Sequence, residues 1–83
     1  MTYYILFKDE PKENLMFESN QLGESSFDSF YPAQGLKALM KMVETAPEVL
    51  PDVRIVKETG EYITVEEFLT EIGKLRVRYN RFS

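Results

Sequence analysis

The sequence predicts a small α+β domain, an antiparallel sheet of about four strands with two helices packed on it, and three observations carry that prediction. Ile63-Thr64-Val65-Glu66-Glu67-Phe68 spells out a helix start. Leu36, Leu39, Met40 and Val43 recur at the i, i+3, i+4, i+7 spacing of a one-sided helix. Tyr3-Tyr4-Ile5-Leu6-Phe7 and Val53-Arg54-Ile55-Val56-Lys57 have the bulky, β-branched or aromatic composition of strands. The predicted order is β-β-(β)-α-β-β-α over one domain, residues 1–83.

In the first strand, Tyr3, Ile5 and Phe7 fall on one face and Tyr4 and Leu6 on the other. Strands apolar on both faces are central in their sheet or covered by other elements. Asp9 to Asn14 is polar, and Pro11 suits a turn. Leu15-Met16-Phe17-Glu18 reads as a second strand, closing a hairpin with the first. Ser19 to Ser29 is ambiguous: Gly23 and the serines favour a loop, whereas Phe27, Phe30 and Tyr31 are too apolar for one in full solvent. A third strand or an irregular arm on the core would serve. Pro32 suits the first turn of a helix, where its missing amide is no loss. The first helix is expected over Ala33 to Thr45, ended by Pro47 and Pro51, with Met40 in the core and Met42 off the stripe and exposed.

Val53–Lys57 is the next strand, Glu58-Thr59-Gly60 a tight turn with Gly available for positive φ, and Glu61-Tyr62-Ile63 a short return strand. Thr64 and Glu67 then form a capping box, flanked by Ile63 and Phe68 as a hydrophobic staple. Glu66 and Glu67 face the positive end of the helix dipole. The end of this helix is open. Val65, Phe68, Leu69, Ile72, Leu75, Tyr79 and Phe82 share one helical face, which favours a continuous helix. Gly73 would also cap a shorter one, with Leu75 to Tyr79 alternating as a strand. The last ten residues are helix, strand or tail.

Composition bounds function more by exclusion than by signal. Domains of this length bury only about 60 % of their unfolded surface, so stability is marginal. At 43 % hydrophobic residues, with five Tyr and six Phe, the chain has enough apolar mass to fold. It contains neither Cys nor His. Thiol nucleophiles, disulfides, the commonest general base and the commonest metal ligands go with them. No cofactor is expected. The four glycines are too scattered for a phosphate loop, and Gly23 with Ser25 lacks the second glycine of a nucleophile elbow. Enzyme activity is not expected. Small secreted domains usually need disulfides, and the apolar start has neither signal-peptide flanks nor spanning length. A cytoplasmic protein without a membrane anchor is therefore expected.

Four features remain as candidates. Lys74, Arg76, Arg78 and Arg81, interleaved with Tyr79 and Phe82, would suit nucleic acid by charge and stacking, or would simply complement a helix C-terminus; Glu71 and Lys74 are spaced for an ion pair. Phe27, Phe30 and Tyr31 would anchor a protein partner if exposed, or would fill the space between sheet and first helix. Glu58, Glu61, Glu66, Glu67 and Glu71 imitate a row of phosphates or form a solvated face, and a net charge of −4 favours the second. A methionine outside the core would add an adaptable contact. The reading these support best is a non-catalytic binding or regulatory protein acting by protein–protein contact. Its small size and texture suit an accessory or inhibitor protein of a phage or mobile element. The alternatives are a nucleic-acid-binding domain using residues 74–82 and a structural homo-oligomer subunit.

Overall fold

Strand β1, Thr2–Phe7, occupies the middle of the sheet, the position its two-sided apolar pattern requires. The computed structural model describes residues 1–26 and 29–76, with the backbone alone for 74–76. Among these residues the other strands are β2 (Gln21–Ser26), β3 (Ser29–Pro32), β4 (Val53–Lys57) and β5 (Tyr62–Ile63), and the helices are α1 (Gln34–Thr45) and α2 (Val65–Arg76). The spatial order is β3-β2-β1-β4-β5, and every pairing is antiparallel. The architecture is the expected α+β domain, with five strands among the described residues where about four were expected.

The C-terminal half matches its prediction closely. β4 covers the expected residues, Gly60 takes φ +93°, and β5 leads directly into α2. The capping box forms in both directions: the Glu67 amide donates to Thr64 Oγ1 at 3.0 Å, and the Thr64 amide donates to Glu67 Oε1 at 3.2 Å. The helix runs past Gly73 to Arg76, so the glycine does not end it. The choice between helix, strand and tail beyond Arg76 lies outside the described residues.

The N-terminal half departs from expectation. Leu15–Glu18 is not a strand; two short 3-10 helices, Lys12–Met16 and Glu18–Asn20, replace it, leaving Met16 and Phe17 exposed. The hairpin partner of β1 is instead β2, a polar segment in which Leu22 and Gly23 alone are buried. Its register slips between Tyr3 and Tyr4, the mark of a bulge. Gly23, at φ +145°, sits at this bulge because a Cβ would meet the carbonyl of Tyr31 and the ring of Phe30. Pro32 ends β3 and does not open the helix.

α1 begins one residue after its expected start, with Ala33 at the N-cap and no side-chain cap. Its buried face is shifted from the predicted stripe. Gly35 and Leu39 are buried and Met42 packs against the core with Leu36, so Met42 is not the exposed residue expected. Gly35 explains the shift: a Cβ there would stand 2.5 Å from the Gln21 carbonyl, so the helix backbone rests directly on the start of β2.

The core lies between the sheet and the helices. At its centre three rings from three elements meet, Tyr3 of β1, Phe30 of β3 and Phe68 of α2, with centroids 5.2–6.1 Å apart; Phe30 meets the other two edge to face and Tyr3 is tilted against Phe68. Leu22, Leu39, Ile55, Ile63 and Ile72 complete it.

Candidate functional site

The aromatic arm does not assemble as a surface. Successive strand residues point to opposite faces, so β3 buries Phe30 completely and turns Tyr31, half-exposed, to the other side. Phe30 is therefore a core residue and unavailable as a partner anchor. It fills the space under α2, against Phe68. Phe27 lies outside the described residues. Of the basic–aromatic segment, Lys74 and Arg76 are placed by the backbone of α2. Arg78, Tyr79, Arg81 and Phe82 lie outside the described residues, and the expected Glu71–Lys74 pair involves a side chain that also does.

The acidic row is divided among structural tasks. Glu67 caps α2. Glu71 accepts from the Tyr3 hydroxyl at 2.9 Å and lies 3.3 Å from Lys57 Nζ, with Glu61 at 3.9 Å from the same ammonium. Burial raises the pKa of the Tyr3 hydroxyl and its bond to Glu71 adds to the rise, against an opposing bond from Ser25. The hydrogen bond to Glu71 likewise raises Lys57. The cluster ties the end of β1 to α2 and β4. Its groups satisfy one another.

A second network lies at the other end of β1. The buried Asn20 amide donates to the Ile5 carbonyl at 2.8 Å and to Glu10 Oε2 at 3.0 Å. Glu10 also accepts from Asn14 and from the Phe7 amide. Partial burial works to raise the Glu10 pKa, but these three donors outweigh it and hold the carboxyl below its ordinary value. This network folds residues 8–20 into tight turns. Among the described residues no group of His, Cys, Asp or Glu side chains is placed to hold a metal ion.

A sizeable concavity combines parts that sequence reading kept separate. After α1 the chain makes a 3-10 turn, Pro47–Asp52, which packs against the end of that helix. Between this turn, Val43 and the first turns of α2 lies an open groove of about 600 Å³, its walls formed by Val43, Pro47, Leu50, Pro51, Val65 and Leu69. A smaller hollow of about 330 Å³ shares Leu50, Pro51 and Val65 and continues past Val53 to Tyr62. The walls are mainly apolar, with one carboxylate in each hollow. Glu66 and Glu67 line the two hollows, and Glu44, Glu48 and Asp52 are exposed on the segments that form them. None of these five carboxylates forms an ion pair with a described residue. Two bases stand at this end, Lys12 at 5.7 Å and Arg54 at 5.8 Å from the centre of the Tyr62 ring.

The groove residues were visible in the sequence only as the end of one helix and the start of another. Pro47 and Pro51 signalled termination, and nothing local joined them to Val65 and Leu69. No helix among the described residues is long and apolar enough to cross a membrane. Comparison with known proteins finds no matching family model, curated protein or solved structure.

Proposed function

We propose that this chain is a non-catalytic binding protein that acts by contact, receiving an apolar segment of another polypeptide in the groove between α1, the Pro47–Asp52 turn and α2. The observation that carries the reading is the groove itself. It is a mainly apolar trough of about 600 Å³ on a domain of 83 residues, a volume within the range of natural ligand sites. Its walls come from rigid elements, and the prolines at two wall positions hold the backbone preformed, which lowers the entropy lost on binding. Amphipathic helices and extended segments dock in such troughs through side chains at regular spacing.

The contact surface therefore differs from the aromatic arm expected from sequence. The lack of cysteine supports action in a reducing compartment, the cytoplasm in the simplest case, and the small size supports an accessory or inhibitory role in which a partner's surface is occupied. The test is affinity capture from host lysate with mass spectrometry, run in parallel on the wild-type chain, Leu69→Asp and Glu66→Lys. A protein retained by the wild type and lost by both variants, with the melting temperature of Glu66→Lys close to that of the wild type, is the expected result. Equal capture by all three would refute the groove as the contact surface.

A further inference from the structure

We infer that the groove is filled by residues 74–83 of a second copy of this chain, an inference that rests on reading the groove as the contact surface. The charges are complementary in a way that composition alone conceals. Residues 44–71, which include the groove end and the capped helix, carry eight acidic and two basic side chains, of which Glu61 and Glu71 are held by Lys57. Residues 74–83 carry four basic and no acidic ones. The overall balance of −4 is thus the sum of an acidic body and a basic segment. Opposed patches of this kind steer encounter and fix orientation.

Shape chemistry agrees with charge. In Lys74-Leu75-Arg76-Val77-Arg78-Tyr79-Asn80-Arg81-Phe82, apolar and basic side chains are interleaved. The groove offers a matching pattern: apolar walls that include Val43, Leu50, Val65 and Leu69, with Glu66 and Glu67 lining the two hollows and Glu44 and Glu48 exposed on the segments that form them. Leu75, Val77, Tyr79 or Phe82 would take the walls while the arginines meet these carboxylates.

The same chain is a poorer occupant of its own groove. At a rise of about 1.5 Å per residue, Arg76 stands roughly 16 Å along α2 from Val65. Returning that distance at about 3.3 Å per residue consumes nearly five residues. Val77 to Arg81 would be spent on the return, and with them most of the basic and apolar side chains the groove would take. A second copy can lay down the whole run, and because every copy offers both a groove and a segment, the exchange can close as a two-fold pair.

Charge reversal in the intact chain tests this without removing any core group. Arg78→Glu with Arg81→Glu reverses the segment, and Glu48→Lys with Glu66→Lys reverses the rim. Sedimentation velocity over a range of concentration and salt should show a wild-type dimer that weakens as salt rises. Each doubly reversed variant should associate about tenfold more weakly. A mixture of the two should recover a heterodimer, because the reversed charges again oppose. A synthetic peptide of residues 74–83 should bind the segment-reversed chain. A wild type that stays monomeric, or a segment-reversed chain that dimerises as well as the wild type, would overturn the inference. If the wild type is monomeric but Glu66→Lys still loses a captured protein, self-docking fails and the groove reading stands. If neither association nor capture responds to the rim, both fail.

Discussion

Each helix spans twelve described residues, yet the two are held by different physics. α2 carries its own instructions. Thr64 and Glu67 satisfy two orphan amides reciprocally, Glu66 and Glu67 sit at the positive end of the dipole, and Gly60 with β5 aims the chain into the first turn. α1 has no side-chain cap and no acidic residue in its first turn. The Ala33 amide just before it donates to the Leu22 carbonyl, and Gly35 brings the helix backbone onto the β2 backbone. One helix is specified by neighbours in sequence, the other by a strand reached only after the fold closes. The groove lies where the end of the second kind meets the start of the first.

The largest test of this contrast removes what the two halves share. Phe68 touches rings from both β1 and β3, so Phe68→Ala should cost about 3–5 kcal/mol of unfolding free energy in urea titration. Far-ultraviolet and near-ultraviolet signals should be lost together. A loss below about 1 kcal/mol would mean the halves are stable apart. Next, Gly35→Ala should destabilise by about 1–3 kcal/mol, although alanine is the better helix former, because the added methyl meets the Gln21 carbonyl. A stabilised Gly35→Ala protein would show that α1 does not need its close approach to β2. Thr64→Ala should cost about 1 kcal/mol, with amide exchange accelerated in the first turn of α2 and unchanged in α1. Exchange that rises equally in both helices would contradict local specification.

The smallest expected effect concerns the turns that lead to β2. The Glu10 carboxyl is held below its ordinary pKa of 4.5 by its three donors. A depressed carboxyl stabilises the folded state at pH values above the ordinary pKa and loses that contribution as pH falls through the folded value. The melting-temperature gap between wild type and Glu10→Gln should therefore be widest near neutrality and close as the pH drops below 4.5. A gap independent of pH would assign the effect of the substitution to packing instead.

The same contrast explains what the sequence could reveal. The capping box, the Gly60 turn, β4 and the extent of α1 were legible because each is set by residues within a few positions of one another. β2 was not, since Gln21–Ser26 has a single large apolar residue and its burial is earned by the Phe30 ring laid over Gly23. Met16 and Phe17 misled for the opposite reason. They look like strand residues, but Asn20 and Glu10, ten positions apart, fold the segment into turns that leave both exposed. Alternation along β3, once its register was known, separated Phe30 from Tyr31. The candidate site was least legible of all, because Val43 and Leu69 become neighbours across a groove only when both helices sit on the sheet.

The central claim is that this molecule acts where the end of α1 meets the start of α2, and amide chemical-shift mapping tests it most directly. The isotope-labelled chain carrying Arg78→Glu and Arg81→Glu, whose own segment no longer fits the groove, would be titrated with the wild-type peptide of residues 74–83. The account predicts saturable shifts centred on Val43, Leu50, Val65 and Leu69 that weaken with added salt. Shifts centred instead on the sheet face bearing Tyr31 would contradict it.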